Sequence, residues 1–161
     1  MLDNRYSWER AHREASEYYL TMRNYYEFCR EINVLINQYP FVKEYYSFAV
    51  EQLLFAKRFD DVYPFLVKGY KRYPQALYAK WIGIIDLSKE KVDSAIFYLN
   101  ESIKLSSSDA QVHFNLAGAY IKKKMFNEAL NSINNCLAVN PNYPDANRLK
   151  GQLGQITKVN R

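Results

Sequence analysis

Residues 110–143 read AQVHFNLAGAYIKKKMFNEALNSINNCLAVNPNY, and this stretch decides the fold class. Leu116, Ala117 and Tyr120 recur at helical spacing over Ala110 to Lys123, and Leu130, Ile133 and Leu137 do the same over Asn127 to Val139. A short polar turn separates the two stretches, and Pro141 closes the pair. Working outward, the pattern returns at a fixed distance: Pro40, Pro74, Ser107 and Pro141 stand 34, 33 and 34 residues apart. The same ladder relates Ser16, Val50, Gly83 and Ala117, then Tyr25, Phe59, Val92 and Phe126, then Phe28, Val62, Ala95 and Ala129. Columns that hold one register in this way are the signature of a repeated two-helix unit.

Local signals place the helix ends. The Tyr-Pro pairs at 39–40 and 73–74 disfavour a helical tyrosine and end the second helix of their units. Ser108 followed by Gln111 reads as a capping box, and Pro144 with Asp145 suits a first helical turn. Pro64, several residues into a second helix, predicts a kink or a start delayed to about Asp61. The spacing predicts helices over 4–21, 24–38, 42–56, 60–72, 75–88, 91–105, 109–123, 126–139 and 144–157, and no strand. In the last of these, Ala146, Leu149, Leu153 and Ile156 make one narrow apolar stripe on a polar helix, as an end cap of a stack requires.

Composition agrees. With 161 residues and 48% apolar content the chain can bury a core, while five Gly and five Pro leave few tight turns for a sandwich or barrel. Fifteen Tyr and nine Phe must bury much ring surface or present some of it to a partner. The net charge is +5, but the basic residues are scattered and only Lys122, Lys123 and Lys124 run together, so nucleic-acid binding is not expected. Cys29 and Cys136 lie 107 positions apart and read as reduced thiols of a cytoplasmic chain. Met1 to Arg10 is polar and no apolar run approaches ~20 residues, so neither a leader nor a membrane span is expected.

These residues resemble the tetratricopeptide repeat family, whose unit has the order Trp, Leu-Gly, Tyr, Ala, Phe, Ala and Pro. The fourth unit offers Leu116-Ala117, Tyr120, Phe126, Ala129 and Pro141, with Cys136 at the late small place and His113 where the Trp would be. The third supplies Ile82-Gly83, Ala95 and Leu99, but has Asp86 for the Tyr and Ser107 for the Pro. The first two keep the prolines, with Ser16 and Val50 for the Gly and Phe28 and Val62 for the small Ala. The resemblance implies an all-α protein, a right-handed superhelical stack of helix-turn-helix hairpins in a single domain over 1–161. Its four repeats would lie at about 9–42, 43–75, 76–109 and 110–143, with the cap at 144–157. Gly83, Ala95, Ala117 and Ala129 would allow close helix approach, and Phe28 and Val62 would splay the first two hairpins.

No chemistry stands out. His12 and His113 read as surface or groove-edge side chains, and Asp60-Asp61 as a helix start. Gly151 to Gly154 sits on a helix without the strand and Lys of a phosphate loop. The chain is therefore expected to be no enzyme and to need no metal or cofactor. The family's groove-facing places on first helices would be Arg13, Glu17 and Leu20, then Ser47, Phe48, Glu51 and Phe55, then Lys80, Trp81, Ile84 and Ser88, then Gln111, Phe114, Asn115 and Lys122. Of these, Phe48, Phe55, Lys80, Trp81, Ile84, Phe114, Asn115 and Lys122 are the candidate residues for holding a peptide or partner protein. The Lys, Asn and Arg set that clamps acidic C-termini in the family is missing. Two other roles fit the sequence: a regulatory or docking module of a larger protein, such as an enzyme, and self-association into a homo-oligomer through the Tyr-rich first units.

Overall fold

Among the described residues the repeat becomes nine α-helices: α1 (Leu2–Thr21), α2 (Tyr25–Gln38), α3 (Lys43–Phe55), α4 (Phe59–Arg72), α5 (Ala76–Ser88), α6 (Val92–Leu105), α7 (Ala110–Lys122), α8 (Phe126–Val139) and α9 (Ala146–Val159). The computed structural model describes the backbone of residues 2–159 and the side chains of 6–156, and among the described residues there is no strand. No helix among them is long and apolar enough to cross a membrane.

Each hairpin turns on a residue in the left-handed region: Arg23, Lys57, Glu90 and Lys124 have φ of 54°, 56°, 60° and 59°. None is glycine, and they keep the ladder of the repeat. The next residue's N–H then reaches back to the helix it has left, as Asn24 to Tyr19 O, Arg58 to Leu53 O, Lys91 to Asp86 O and Met125 to Tyr120 O. That bond is the wider of the two in a Schellman motif, and it satisfies a carbonyl orphaned at the helix end.

Tyr39 and Tyr73 cap α2 and α4 from outside the helical region, as their prolines require. Elsewhere the local signals shift. α7 is capped by Asp109, whose carboxylate accepts from the N–H groups of Gln111 and Val112, and Ser108 does not serve. Pro144 and Asp145 lie outside α9, and Asp145 has φ of 61°. α4 begins at Phe59 and runs through Pro64, so the start is not delayed. Pro64 falls early in the helix, where its missing N–H forfeits a single bond, while Arg58 Nε donates to Asp61 at 2.6 Å across the first turn.

The chain divides into two compact units, Met1–Tyr73 and Pro74–Arg161. In the first, α1 pairs with α2 and α3 with α4, around Phe28, Ile32, Leu35, Val50, Leu53, Val62 and Phe65, all essentially without solvent exposure. In the second, α5 pairs with α6, α7 with α8, and α9 packs on α8, where Leu153 joins Ala117, Ala129 and Ile133. Leu149 packs on that cluster while Ile156 is exposed, so the apolar stripe of the last helix stops one turn early. The α5–α6 and α7–α8 hairpins pack more closely than α1–α2 and α3–α4, in line with small residues in one unit and Phe28 and Val62 in the other.

Candidate functional site

In Met1–Tyr73 the repeat register brings side chains of two first helices to one opening. A cavity of about 430 Å³ lies along α1 and α3, lined by Glu9, Arg13 and Glu17 from the one and by Glu44, Tyr45 and Phe48 from the other, with Ile32 and Leu35 of α2 beneath. Phe48 is held there by an edge-to-face contact with buried Phe28, ring centroids 5.8 Å apart. The Tyr45 hydroxyl donates to Glu9, and burial followed by that bond pushes the phenol pKa well above its ordinary value. Farther along the same helices a second opening of about 390 Å³ carries Leu20, Gln52 and Phe55, and Phe55 is 89% exposed.

In Pro74–Arg161 the remaining candidates divide by what already holds them. Trp81 is half-buried on α5. Ile84 packs against the core formed by Leu99, Val112 and Leu116. Phe114 lies against Tyr143, centroids 5.0 Å apart, and against the core of α7, α8 and α9. Lys80 donates to Asp109 at 2.7 Å and so ties α5 to the cap of α7, while Lys122 meets both oxygens of Glu90 at 2.8 and 3.0 Å. Asn115 Nδ2 donates to the Gln111 carbonyl one turn back. The polar candidates of this unit are therefore engaged within the fold, and Trp81, Ile84 and Phe114 are half-buried.

The two histidines differ: His113 is buried, against expectation, and His12 is half-buried. His113 is buried with Nε2 at 3.1 Å from the Ser107 carbonyl oxygen, standing where the family has its Trp. His12 Nδ1 lies 2.5 Å from Glu31 Oε2, joining α1 to α2. Sequence reasoning also missed Asp86: it is fully buried where the family has Tyr, and Ser94 Oγ donates to it at 2.5 Å. A helix-borne Asp facing a Ser eight positions on was the only available signal. Both cysteines are held neutral, since burial raises Cys136 and raises Cys29 to about 11, where nearby Asp61 adds to the effect. Among the described residues no group of His, Cys, Asp and Glu could hold a metal ion.

The comparisons agree with this architecture. The tetratricopeptide repeat family model matches residues 86–153. A search of curated proteins finds no match. Among solved structures the chain is similar to that of MamA, with a TM-score of 0.77 at 14% identity over 91% of this chain and 81% of that one. It is similar to YrrB, described as a TPR protein with an unusual peptide-binding site, with 0.71 at 13% identity over 89% and 74%. The TPR domain of Arabidopsis OM64 aligns with 0.62 at 13% identity over 69% and 93%. The chain has the tetratricopeptide repeat fold.

Proposed function

We propose that this tetratricopeptide-repeat chain is a protein-interaction scaffold that binds a peptide segment of a partner along the first helices of its hairpins and performs no reaction of its own. The observation that carries the reading is the opening along α1 and α3. Arg13, Glu17 and Phe48, which the family resemblance assigns to the groove side, line one solvent-accessible cavity there. Rigid aromatic side chains beside charged groups are the usual make-up of an energetic centre. Within Pro74–Arg161, taken by itself, Trp81 on α5 and Phe114 on α7 serve as apolar anchors, with Lys80, Asn115 and Lys122 on the same two helices. That YrrB has a peptide-binding site on the same fold supports the reading.

The test is selection of peptides from a displayed library on the full chain, followed by affinity measurements on wild-type, Arg13→Ala and Trp81→Ala proteins. Peptides that weaken on at least one first-helix variant while the helical spectrum is unchanged support the proposal. Peptides that bind all three proteins equally, or a selection that enriches none, overturn it.

A further inference from the structure

The α1–α3 groove has two unlike ends. Glu9, Arg13, Glu17 and Leu20 follow one face of α1 at helical spacing, and Phe48, Gln52 and Phe55 follow one face of α3, so the two openings lie along the same pair of helix faces. At 1.5 Å per residue, Phe48 and Phe55 stand roughly 10 Å apart, two turns of a bound helix or three residues of an extended strand. The first end presents three carboxylates, Glu9, Glu17 and Glu44, against one guanidinium. Arg13 sits one turn from both Glu9 and Glu17, the spacing at which opposite charges on a helix attract, so part of its charge is answered within α1. The end is left acidic although the whole chain carries +5. Its floor, Ile32, Leu35 and Phe48, is apolar. The second end holds Leu20 and the uncovered ring of Phe55, with Arg23 as its one charged lining residue.

Resting on the peptide-binding reading above, we infer that this groove takes a basic, amphipathic partner segment. A lysine or arginine lies at the Glu9, Glu17 and Glu44 end, its methylene stem on the Phe48 floor, and a large apolar side chain covers Phe55. An acidic segment would bring its charge against three carboxylates and is excluded.

The experiment uses the full chain and two dye-labelled peptides of about a dozen residues, one an amphipathic leucine–lysine sequence and the other its leucine–glutamate counterpart, read by fluorescence anisotropy. The leucine–lysine peptide is expected to bind about tenfold or more tightly than its counterpart and to weaken with added salt. The double variant Glu17→Gln, Glu44→Gln should lose about tenfold, and Phe55→Ala several-fold. All three side chains are exposed, so these variants keep the fold. Equal binding of the two peptides, or wild-type affinity in the double variant, overturns the inference. If library-selected peptides depend on Trp81 but not on Glu17 and Glu44, the inference falls and the scaffold reading stands. If neither these peptides nor any library peptide binds, both fall.

Discussion

A Cβ placed on Gly83 of α5 would stand 2.7 Å from Leu99 Cγ and 3.1 Å from the Leu99 backbone nitrogen of α6. Leu99 is fully buried, so neither its branch point nor its backbone can withdraw without moving the helix. Gly83→Ala should therefore destabilise by about 1–3 kcal/mol, and Gly83→Leu by more. Gly118 of α7 is the control, because its added methyl would only touch Leu87 at 3.9 Å. There Gly118→Ala should stabilise by up to about 1 kcal/mol through helix propensity alone. Thermal melts showing the same sign for both alanines would remove Gly83 from a close crossing.

The turn residues make the opposite prediction. Lys57 and Lys124 sit at φ of 56° and 59°, where an L side chain costs roughly 1–2 kcal/mol and glycine costs little. Lys57→Gly and Lys124→Gly should each stabilise by up to about 1 kcal/mol, the gain being reduced by the greater freedom of glycine in the unfolded chain. A loss of denaturation midpoint in both would mean that their side chains contribute more than the turn geometry costs.

Asp109 links charge to stability. Burial raises its pKa, but the Lys80 hydrogen bond and charge, with the N–H groups of Val112 and Gln111, outweigh this and leave it below the ordinary 3.8. A carboxylate depressed in the folded state adds stability above its unfolded pKa, and that stability is lost as the pH falls through the folded value. Asp109→Asn keeps a good helix cap and removes only the charge. The stability difference between wild type and Asp109→Asn, about 1 kcal/mol or less for a partly exposed pair, should hold at neutral pH and close as the pH falls below about 4. A difference independent of pH would show that the Lys80 bridge contributes nothing.

Much of the fold was legible because periodic apolar columns are fixed by burial, and burial decides where helices begin and end to within two residues. What escaped is set by contacts between distant residues or by backbone conformation. Nothing in Arg23, Lys57, Glu90 or Lys124 announces a left-handed turn that glycine would normally fill. Asp109 caps α7 where Ser108 was expected, and its other carboxylate oxygen accepts from Lys80, 29 positions away. The family pattern put Arg13, Glu17 and Phe48 on the same side, and the three line one cavity of Met1–Tyr73. That pattern could not tell that Lys122 is met by Glu90, or that Ile84 belongs to the core, because those depend on how neighbouring hairpins pack.

Phe28 tests how far the family pattern governs this chain. The family has a small residue there, yet Phe28 is fully buried and its ring meets Phe48 edge-on. Phe28→Ala restores the family residue, and if the first hairpins have settled around the ring it should cost about 3–5 kcal/mol by opening a cavity. Chemical denaturation giving equal or greater stability for the variant would mean that α1 and α2 collapse to the closer spacing of α5 and α6.

The last prediction separates recognition from support on α5. Lys80 lies one residue before Trp81, but its ammonium is bound to Asp109 and only 16% of its side chain is exposed. Trp81 is half-buried. If the peptide segment lies along the first helices, Trp81→Ala should weaken a library-selected peptide by on the order of 2 kcal/mol, roughly 30-fold, with the melting temperature little changed. Lys80→Ala should do the reverse, leaving Asp109 without its cation, lowering the melting temperature and keeping most of the affinity. Calorimetric titration beside thermal melts on both variants reads the two effects separately. A Trp81→Ala protein that unfolds, or that melts lower while binding as tightly as wild type, would make Trp81 a core residue and place the binding face elsewhere on the chain.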